Sequence, residues 1–438
     1  MVAFMPTNSI AVDGTPAAAG GSGSTPVRQL KIAASSSQLR NSHLSYILSV
    51  AFSTDGRRFA TASADRTVRI WDLDSDGSWT YCGPGGANEW QAHKGPVKCV
   101  NWAHPEFGQL IATAGSDHAV TIWEERDGSF KSLATPERTS DGFLSTSEGG
   151  GGSGASAAAT TSSWIQKATL SDARRAVSCV EFSPRHLGLR LAAASADGAV
   201  RIYEALDTMN LSHWKLDGVI EDAAKDGSGP SPSQRHLQSS GGGVGSGGAS
   251  PANSNEDLGV TSLSWCNGRF EPPTLVTGHS SSRVSVYRYD DSSRSWVEAI
   301  RLPNHATEGG VPRGVLDVAW APNVGRSYHL IASCGKDNSL KVHRIKRGRV
   351  GSRQQAGGDG NGGGSAGGSS SALVYEDTQV LDRGEAWRCQ WNVTGTVLAS
   401  SVDGGSVRLW KSDFRGQWRL VSEAAGGAVD AAASAQNQ

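Results

Sequence analysis

Few residues of this 438-residue chain have the types and the spacing that catalysis or metal binding requires. The chain has no P-loop, HExxH or GxSxG motif, and its six cysteines form no CxxC pair. Its run GGVGSGG lies inside a glycine-rich stretch and not between a strand and a helix, which argues against a dinucleotide loop. The sequence therefore predicts a protein that is not an enzyme, with no catalytic residue, cofactor, metal or small-molecule substrate.

The chain is built from a repeated unit of short, strand-like runs. One unit reads SVAFSTDGRRFATASADRTVRIWDL, from Ser49 to Leu73, and five similar units follow it. Apolar residues in runs such as VRIW, VTIW and VRLW alternate with a period of two, which predicts strands. Further strand-like pieces between the units carry Trp79, Trp164, Trp214, Trp296 and Trp418. Four strands in each of six units predict an all-β, six-bladed β-propeller.

The closing aromatic of IWD and the aspartate of SAD and GSD match the WD-repeat signature. In WD repeats such an aspartate ties a turn to nearby backbone or to a histidine. We therefore interpret the aspartates as structural, and we expect His93 to bond to Asp117 rather than to a metal. The residues assigned to this pattern are Asp65, Trp71, His93, Asp117, Trp123, Asp197, Asp337 and Trp410.

Three glycine- and serine-rich inserts interrupt the repeats, at about residues 137–162, 225–256 and 351–371. They contain too few apolar residues to offset the entropy of ordering the backbone, so we predict that they are disordered. We expect a flexible extension over residues 1–38, a propeller over 39–424 and a flexible tail over 425–438.

The closure of the ring depends on the two ends of the repeat region. The segment Gly416–Glu423, GQWRLVSE, is predicted to supply the outer strand of the sixth blade. The alternating segment Pro26–Ala34 is then a closing strand, an extra strand or a weakly ordered arm. A ring that is not closed leaves strand edges and apolar blade faces free between blades one and six, which favours pairing with another chain.

The charge balance limits the kinds of partner. Lys and Arg number 41 and Asp and Glu 42, so no global basic surface favours direct nucleic-acid binding. The cysteines are widely spread in strand-like runs, and we interpret them as buried thiols of a reducing compartment. We expect a soluble cytosolic or nuclear protein.

Several longer strings resemble the Seh-type WD nucleoporins: PRHLGLRLAAASADGAVRIYEALDTMNLSHW, APNVGRSYHLIA and WRCQWNVTGTVLASSVDGGSVRLWK. The resemblance implies an open six-bladed propeller that an α-solenoid nucleoporin completes by inserting a blade in trans. It implies a scaffold role beside the other subunits of the Y-complex, the outer ring of the nuclear pore complex at the nuclear envelope. It further implies a role in the SEA or GATOR amino-acid signalling complex at the vacuolar or lysosomal surface.

The resulting prediction is a scaffold subunit that binds a partner between blades one and six, with support of nucleocytoplasmic transport as its purpose. A Sec-type propeller of the COPII vesicle coat is the first alternative, because WAHPEFG resembles both families. The others are a general WD-repeat interaction platform, a propeller enzyme or ligand-binding propeller, and a ubiquitin-ligase receptor. The residues predicted to line the gap are Ile47, Leu48, Val50, Phe52, Trp387 and Trp391.

Overall fold

The structure is a computed structural model. It describes residues 43–80, 89–126, 163–221, 259–305, 307–308, 311–349, 371–382, 384 and 386–424. Pro26–Ala34, Cys82 and most of the three predicted inserts lie outside these residues. Among the described residues, no helix is long and apolar enough to cross a membrane.

Blades one to three are antiparallel sheets whose strands follow one another in chain order. Blade one is β1 (Ile47–Phe52), β2 (Arg58–Ser63) and β3 (Thr67–Leu73), with β4 (Trp79–Thr80) and β5 (Glu89–Gln91) both paired to β3. Blade two is β6 (Val97–Trp102), β7 (Leu110–Gly115), β8 (Val120–Arg126) and β9 (Ser163–Leu170). Blade three is β10 (Val177–Phe182), β11 (Arg190–Ser195), β12 (Ala199–Ala205) and β13 (Trp214–Glu221).

Blades four to six repeat this order. Blade four is β14 (Val260–Trp265), β15 (Thr274–His279), β16 (Val284–Asp290) and β17 (Ser295–Leu302). A short hairpin, β18 (Thr307–Glu308) and β19 (Val311–Pro312), precedes blade five. Blade five is β20 (Val315–Trp320), β21 (Tyr328–Gly335), β22 (Ser339–Arg349) and β23 (Ser371–Asp382). Blade six is β24 (Ala386–Trp391), β25 (Val397–Val402), β26 (Val407–Ser412) and β27 (Trp418–Ala424).

The six-bladed propeller predicted from the repeats is confirmed, and so is the supply of the last outer strand by the segment around Trp418. In the described part of the chain, three short 3-10 helices lie in the turns: Pro105–Phe107, Arg185–Leu187 and Asp403–Gly405. The first strand of each blade contacts the first strand of the next from blade one to blade six, so these strands are the innermost of the ring.

Every first strand carries a register shift after its first residue, as between Val97 and Cys99 and between Ala386 and Arg388. A bulge inserts one residue and increases the local twist of a strand. The shift also changes which side chains of the strand face the preceding blade, and simple alternation in the sequence does not show this change.

The core of the protein lies between blades and not within one blade. Five apolar clusters each join two consecutive blades, from the pair one and two to the pair five and six. In the cluster of blades one and two, Ala60 and Ile70 meet Val100 and Trp123. A single four-stranded sheet has two faces to cover, so each blade needs neighbours to bury its apolar side chains.

The hydrogen bond predicted between His93 and Asp117 is present. The Nδ1 atom of His93 lies 2.9 Å from Asp117 Oδ1, and its Nε2 lies 2.8 Å from Thr113 Oγ1. The indole of Trp123 donates to the same Thr113 hydroxyl at 3.1 Å. Burial lowers the pKa of His93, although Asp117 acts to raise it, so the ring is held in its neutral form.

Blades one and five have the same arrangement. His43 contacts Asp65 at 3.0 Å, and His305 contacts Asp337 at 2.7 Å. The sequence interpretation missed both histidines. In blade three, Arg201 forms the ion pair with Asp197 instead, at 2.8 Å.

Replacing Asp117 by alanine should lower the free energy of unfolding by about 1–3 kcal/mol, because the buried His93 ring loses its acceptor. The Lys94 backbone N–H, 2.9 Å from Asp117 Oδ2, loses its acceptor as well. Urea titration followed by tryptophan fluorescence measures this change. Asp207→Ala is the matched control, since its carboxylate accepts from the Met209 N–H in an exposed turn; equal losses in the two variants would contradict the prediction.

Candidate partner-binding site

In blades two, four and six, the tryptophan at the end of the first strand donates a hydrogen bond to the backbone of the preceding blade. The indole N–H of Trp102 donates to the backbone oxygen of Ala51 at 2.9 Å. Trp391 reaches Ala319 in the same way at 3.0 Å. Blade one has Phe52 at this position, and a phenyl ring has no N–H to donate. Blade three has Phe182 at the same position, so an indole hydrogen bond to the preceding blade is a feature of some blades and not of all.

The opposite side of the first strand holds the next blade. Ser49 Oγ accepts from the Val100 N–H at 3.3 Å, and Asp317 Oδ2 accepts from the Cys389 N–H at 3.1 Å. In blade six the residue equivalent to Ser49 and Asp317 is Arg388. Its Nη2 atom lies 3.3 Å from the backbone oxygen of Leu48 in blade one, across the junction of the ring.

Small side chains of the second strands show which blade has no neighbouring blade on one face among the described residues. Ala60, Ala112, Ala192 and Ala332 occupy the same register position in blades one, two, three and five, and each is 0% exposed against the next blade. The equivalent residue of blade six, Ala399, is only partly buried.

Two more positions of blade six are also less buried than their equivalents in blade one. Ser401 is equivalent to the fully buried Ala62 of blade one, and Leu409 to the fully buried Ile70. Both Ser401 and Leu409 are only partly buried. We call Trp387, Arg388, Ala399, Ser401 and Leu409 the open face of blade six. Among the described residues, no apolar cluster joins this face to blade one.

The facing strand of blade one is also less covered than its equivalents. All six residues of β1 are partly exposed, whereas Val100 in blade two and Val180 in blade three are almost fully buried at the position of Val50. Phe52 packs on Phe59 with ring centroids 5.3 Å apart. Phe59 in turn contacts Trp79 at 4.6 Å. An incoming sheet would thus meet an aromatic surface beside β1.

The electrostatics of the junction centre on Arg388. The Asp317 carboxylate raises the pKa of Arg388, and burial opposes this effect. The Nη1 atom of Arg388 lies 3.7 Å from Asp317 Oδ1. The guanidinium therefore remains charged between blade five and the Leu48 carbonyl of blade one.

The structure places the predicted gap residues at different distances from the junction. Ile47, Leu48, Val50 and Phe52 lie on β1, which borders it, and Trp387 is 50% exposed on blade six. The prediction that Trp391 lines the gap between blades one and six is corrected by the structure. Its indole packs into the cluster of blades five and six, because the register shift in β24 turns it toward the preceding blade.

Sequence reasoning did not find Ala399, Ser401 or Leu409. Their alternation with Leu398, Ser400 and Trp410 was visible, because one set lies on each face of the sheet. The sequence contained no sign of which face has a neighbouring blade.

Comparison with known proteins agrees with this architecture. The WD domain, G-beta repeat family matches residues 34–72, 87–124 and 164–204. Nucleoporin SEH1-A of Xenopus laevis is 32% identical over 387 residues, which cover 86% of this chain and 85% of the relative. Nucleoporin SEH1 of Homo sapiens has the same identity and coverage, and that of Danio rerio is 32% identical over 86% of this chain and 84% of its own. The chain belongs to the nucleoporin SEH1 family.

Proposed function

We propose that this protein is a structural scaffold subunit of the nuclear pore complex, whose propeller is completed by a β-blade that a partner inserts in trans. The observation that carries this proposal is the open face of blade six, where Ala399, Ser401 and Leu409 lack the cover that their equivalents have in other blades. The partner class is an α-solenoid nucleoporin of the outer-ring Y-complex. The protein then acts at the nuclear envelope in support of nucleocytoplasmic transport.

The physical basis of the interaction is burial of two sheet faces at once. An inserted blade would cover Leu409 and Ala399 on one side and Val50 and Phe52 on the other. Each apolar Å² removed from water contributes roughly 25 cal/mol, so a four-stranded insert would supply a large favourable term. Arg388 lies at the inner end of the same space, and the backbone groups of an inserted strand could accept its hydrogen bonds.

The test is co-expression with the α-solenoid nucleoporin of the same organism, with and without the residues that form its β-blade. We expect a stable complex only with the intact partner, and a higher melting temperature for the complex than for the isolated propeller. Equal binding by the partner without its blade, or equal melting temperatures, would reject insertion in trans.

The same open face would serve an α-solenoid partner in an SEA or GATOR complex at the vacuolar or lysosomal surface. Affinity capture from cells, followed by mass spectrometry, separates these roles. Recovery of pore scaffold subunits supports the pore role, and recovery of SEA or GATOR subunits supports the signalling role. Recovery of COPII coat subunits without either would favour the vesicle-coat alternative and overturn the proposal.

A further inference from the structure

Three residues of blade six are paired side by side across its first three strands. Gln390 of β24 is opposite Ala399 of β25, which is opposite Leu409 of β26. The Gln390 side chain is exposed, and Ala399 and Leu409 are only partly buried. We call these three residues the docking row of blade six. Each of the other blades has an equivalent row, so its surroundings show what such a row binds.

In blades one to five, the row is covered by the aromatic residue that ends the first strand of the next blade. Trp102 of blade two lies in one apolar cluster with Ala60 and Ile70, two members of the row of blade one. The aromatic residues that cover the five rows in this way are, in blade order, Trp102, Phe182, Trp265, Trp320 and Trp391. An aromatic ring is therefore the common cover of a row.

The first-strand member of a row also holds that aromatic residue by its backbone. This member is polar in blades two, three and four, and each time its side-chain oxygen accepts the backbone N–H of the aromatic residue. The three bonds run from Phe182 to Asn101 at 3.0 Å, from Trp265 to Glu181 at 3.2 Å and from Trp320 to Ser264 at 3.1 Å. In blades one and five the member is Ala51 or Ala319, which has no side-chain acceptor.

Gln390 is the fourth polar residue at this position, and it lies at the junction of the ring. The hydrogen bond seen across the junction is that of Arg388 Nη2 to the Leu48 carbonyl at 3.3 Å. Among the described residues, Gln390 makes no counterpart of the three bonds above. Blade six thus has the acceptor and the apolar row, but not the aromatic residue that both would hold.

We propose that the docking row binds the aromatic residue that ends the innermost strand of the inserted blade, and thereby selects a partner with such a strand. This inference rests on the proposed insertion in trans, because the inserted blade then takes the place that the next blade has elsewhere in the ring. The Gln390 side-chain oxygen accepts the backbone N–H of the aromatic residue, and the ring covers Ala399 and Leu409. A buried aromatic side chain removes about 150–250 Å² from water, so this one residue contributes strongly to the choice of partner.

The first test measures the affinity of the full-length protein for the intact α-solenoid nucleoporin of the same organism. Leucine would leave the N–H of the inserted strand without an acceptor, so Gln390→Leu should bind at least about 10-fold more weakly than the wild type. Glutamate keeps an acceptor, as Glu181 does in blade three, so Gln390→Glu should stay within about 3-fold of the wild type. Gln417→Leu, at an exposed glutamine between β26 and β27, is the matched control and should bind normally.

The second test changes the partner. Alanine in place of the aromatic residue that ends its innermost strand should weaken binding at least about 100-fold, whereas an exchange of Phe and Trp should cost less than about 10-fold. A bound partner whose innermost strand ends in a residue that is not aromatic would overturn the proposal. Equal binding by the wild type and Gln390→Leu would reject the role of Gln390 and leave insertion in trans standing. No binding of the intact partner to the wild type would reject both.

Discussion

A carboxylate placed at Ala332 should unfold the propeller, whereas the same carboxylate at Ala399 should leave it folded. The two alanines occupy equivalent positions of β21 and β25. Ala332 is 0% exposed in the cluster between blades five and six, so Ala332→Asp buries a charge that has no partner. We expect a loss of about 3–5 kcal/mol in the free energy of unfolding. Ala399 is only partly buried, and Ala399→Asp should change that free energy by less than about 1 kcal/mol.

The measurement is urea unfolding of both variants beside the wild type, with capture of the solenoid partner as a second readout. Ala399→Asp should reduce capture at least about 10-fold, because the charge would be buried only when an inserted blade covers it. Lys411→Asp on the exposed part of β26 is the control for added negative charge, and it should bind normally. Strong destabilisation by Ala399→Asp would show that blade six has a neighbour after all.

Acid should destabilise the wild type more than a variant without two buried histidines. Burial lowers the pKa of His279 to about 4 and that of His343 to about 3. An unfolded histidine titrates near 6.5, so below that pH the unfolded chain takes up protons that the folded state refuses. The contribution of each neutral histidine to the free energy of unfolding is therefore fully present above about pH 6.5. It is lost as the pH falls toward the pKa of that histidine in the folded state. Each histidine accounts for about 2 kcal/mol between pH 7 and pH 5.

Between pH 7 and pH 5, the free energy of unfolding of the double variant His279→Gln with His343→Gln should thus fall by about 4 kcal/mol less than that of the wild type. Comparison of the two proteins is needed because other groups titrate as well. Burial raises the pKa of Glu181 to about 8, which favours the folded state as the pH falls, and this effect is common to both proteins. Chemical denaturation at pH 7, 6 and 5 gives the difference. His213→Gln, at an exposed position, should follow the wild type, and parallel curves for all three proteins would refute the prediction.

His343 also shows how far sequence patterns go. It stands where other blades have Trp71, Trp123 or Trp410, and the alternation of LKVH placed it correctly on a strand. Its hydrogen bonds to Ser333 at 2.9 Å and to Thr378 at 2.8 Å join three strands of blade five. Thr378 lies 35 residues away, so no local pattern indicated this contact.

The structural histidines give a second example. His93 was found because its run WQAHKGPV stands where WD repeats place a structural histidine. It lies 24 residues before Asp117, and His43 lies at a similar separation of 22 from Asp65. His305 is 32 residues from Asp337, because the hairpin of β18 and β19 lies between them. The hydrogen bond depends on the folded path of the chain, which allows different loop lengths for one geometry.

The sequence by itself determined the strands, the number of blades and the turn aspartates, because alternation with a period of two and turn chemistry are local properties. The tertiary structure decided which sheet faces have a neighbour. Ala332 and Ala399 are the same residue type in the same pattern, yet one is buried between two blades and the other borders the junction of the ring. Burial depends on elements distant in the chain, and only the arrangement of all six blades showed that blade six has an open face.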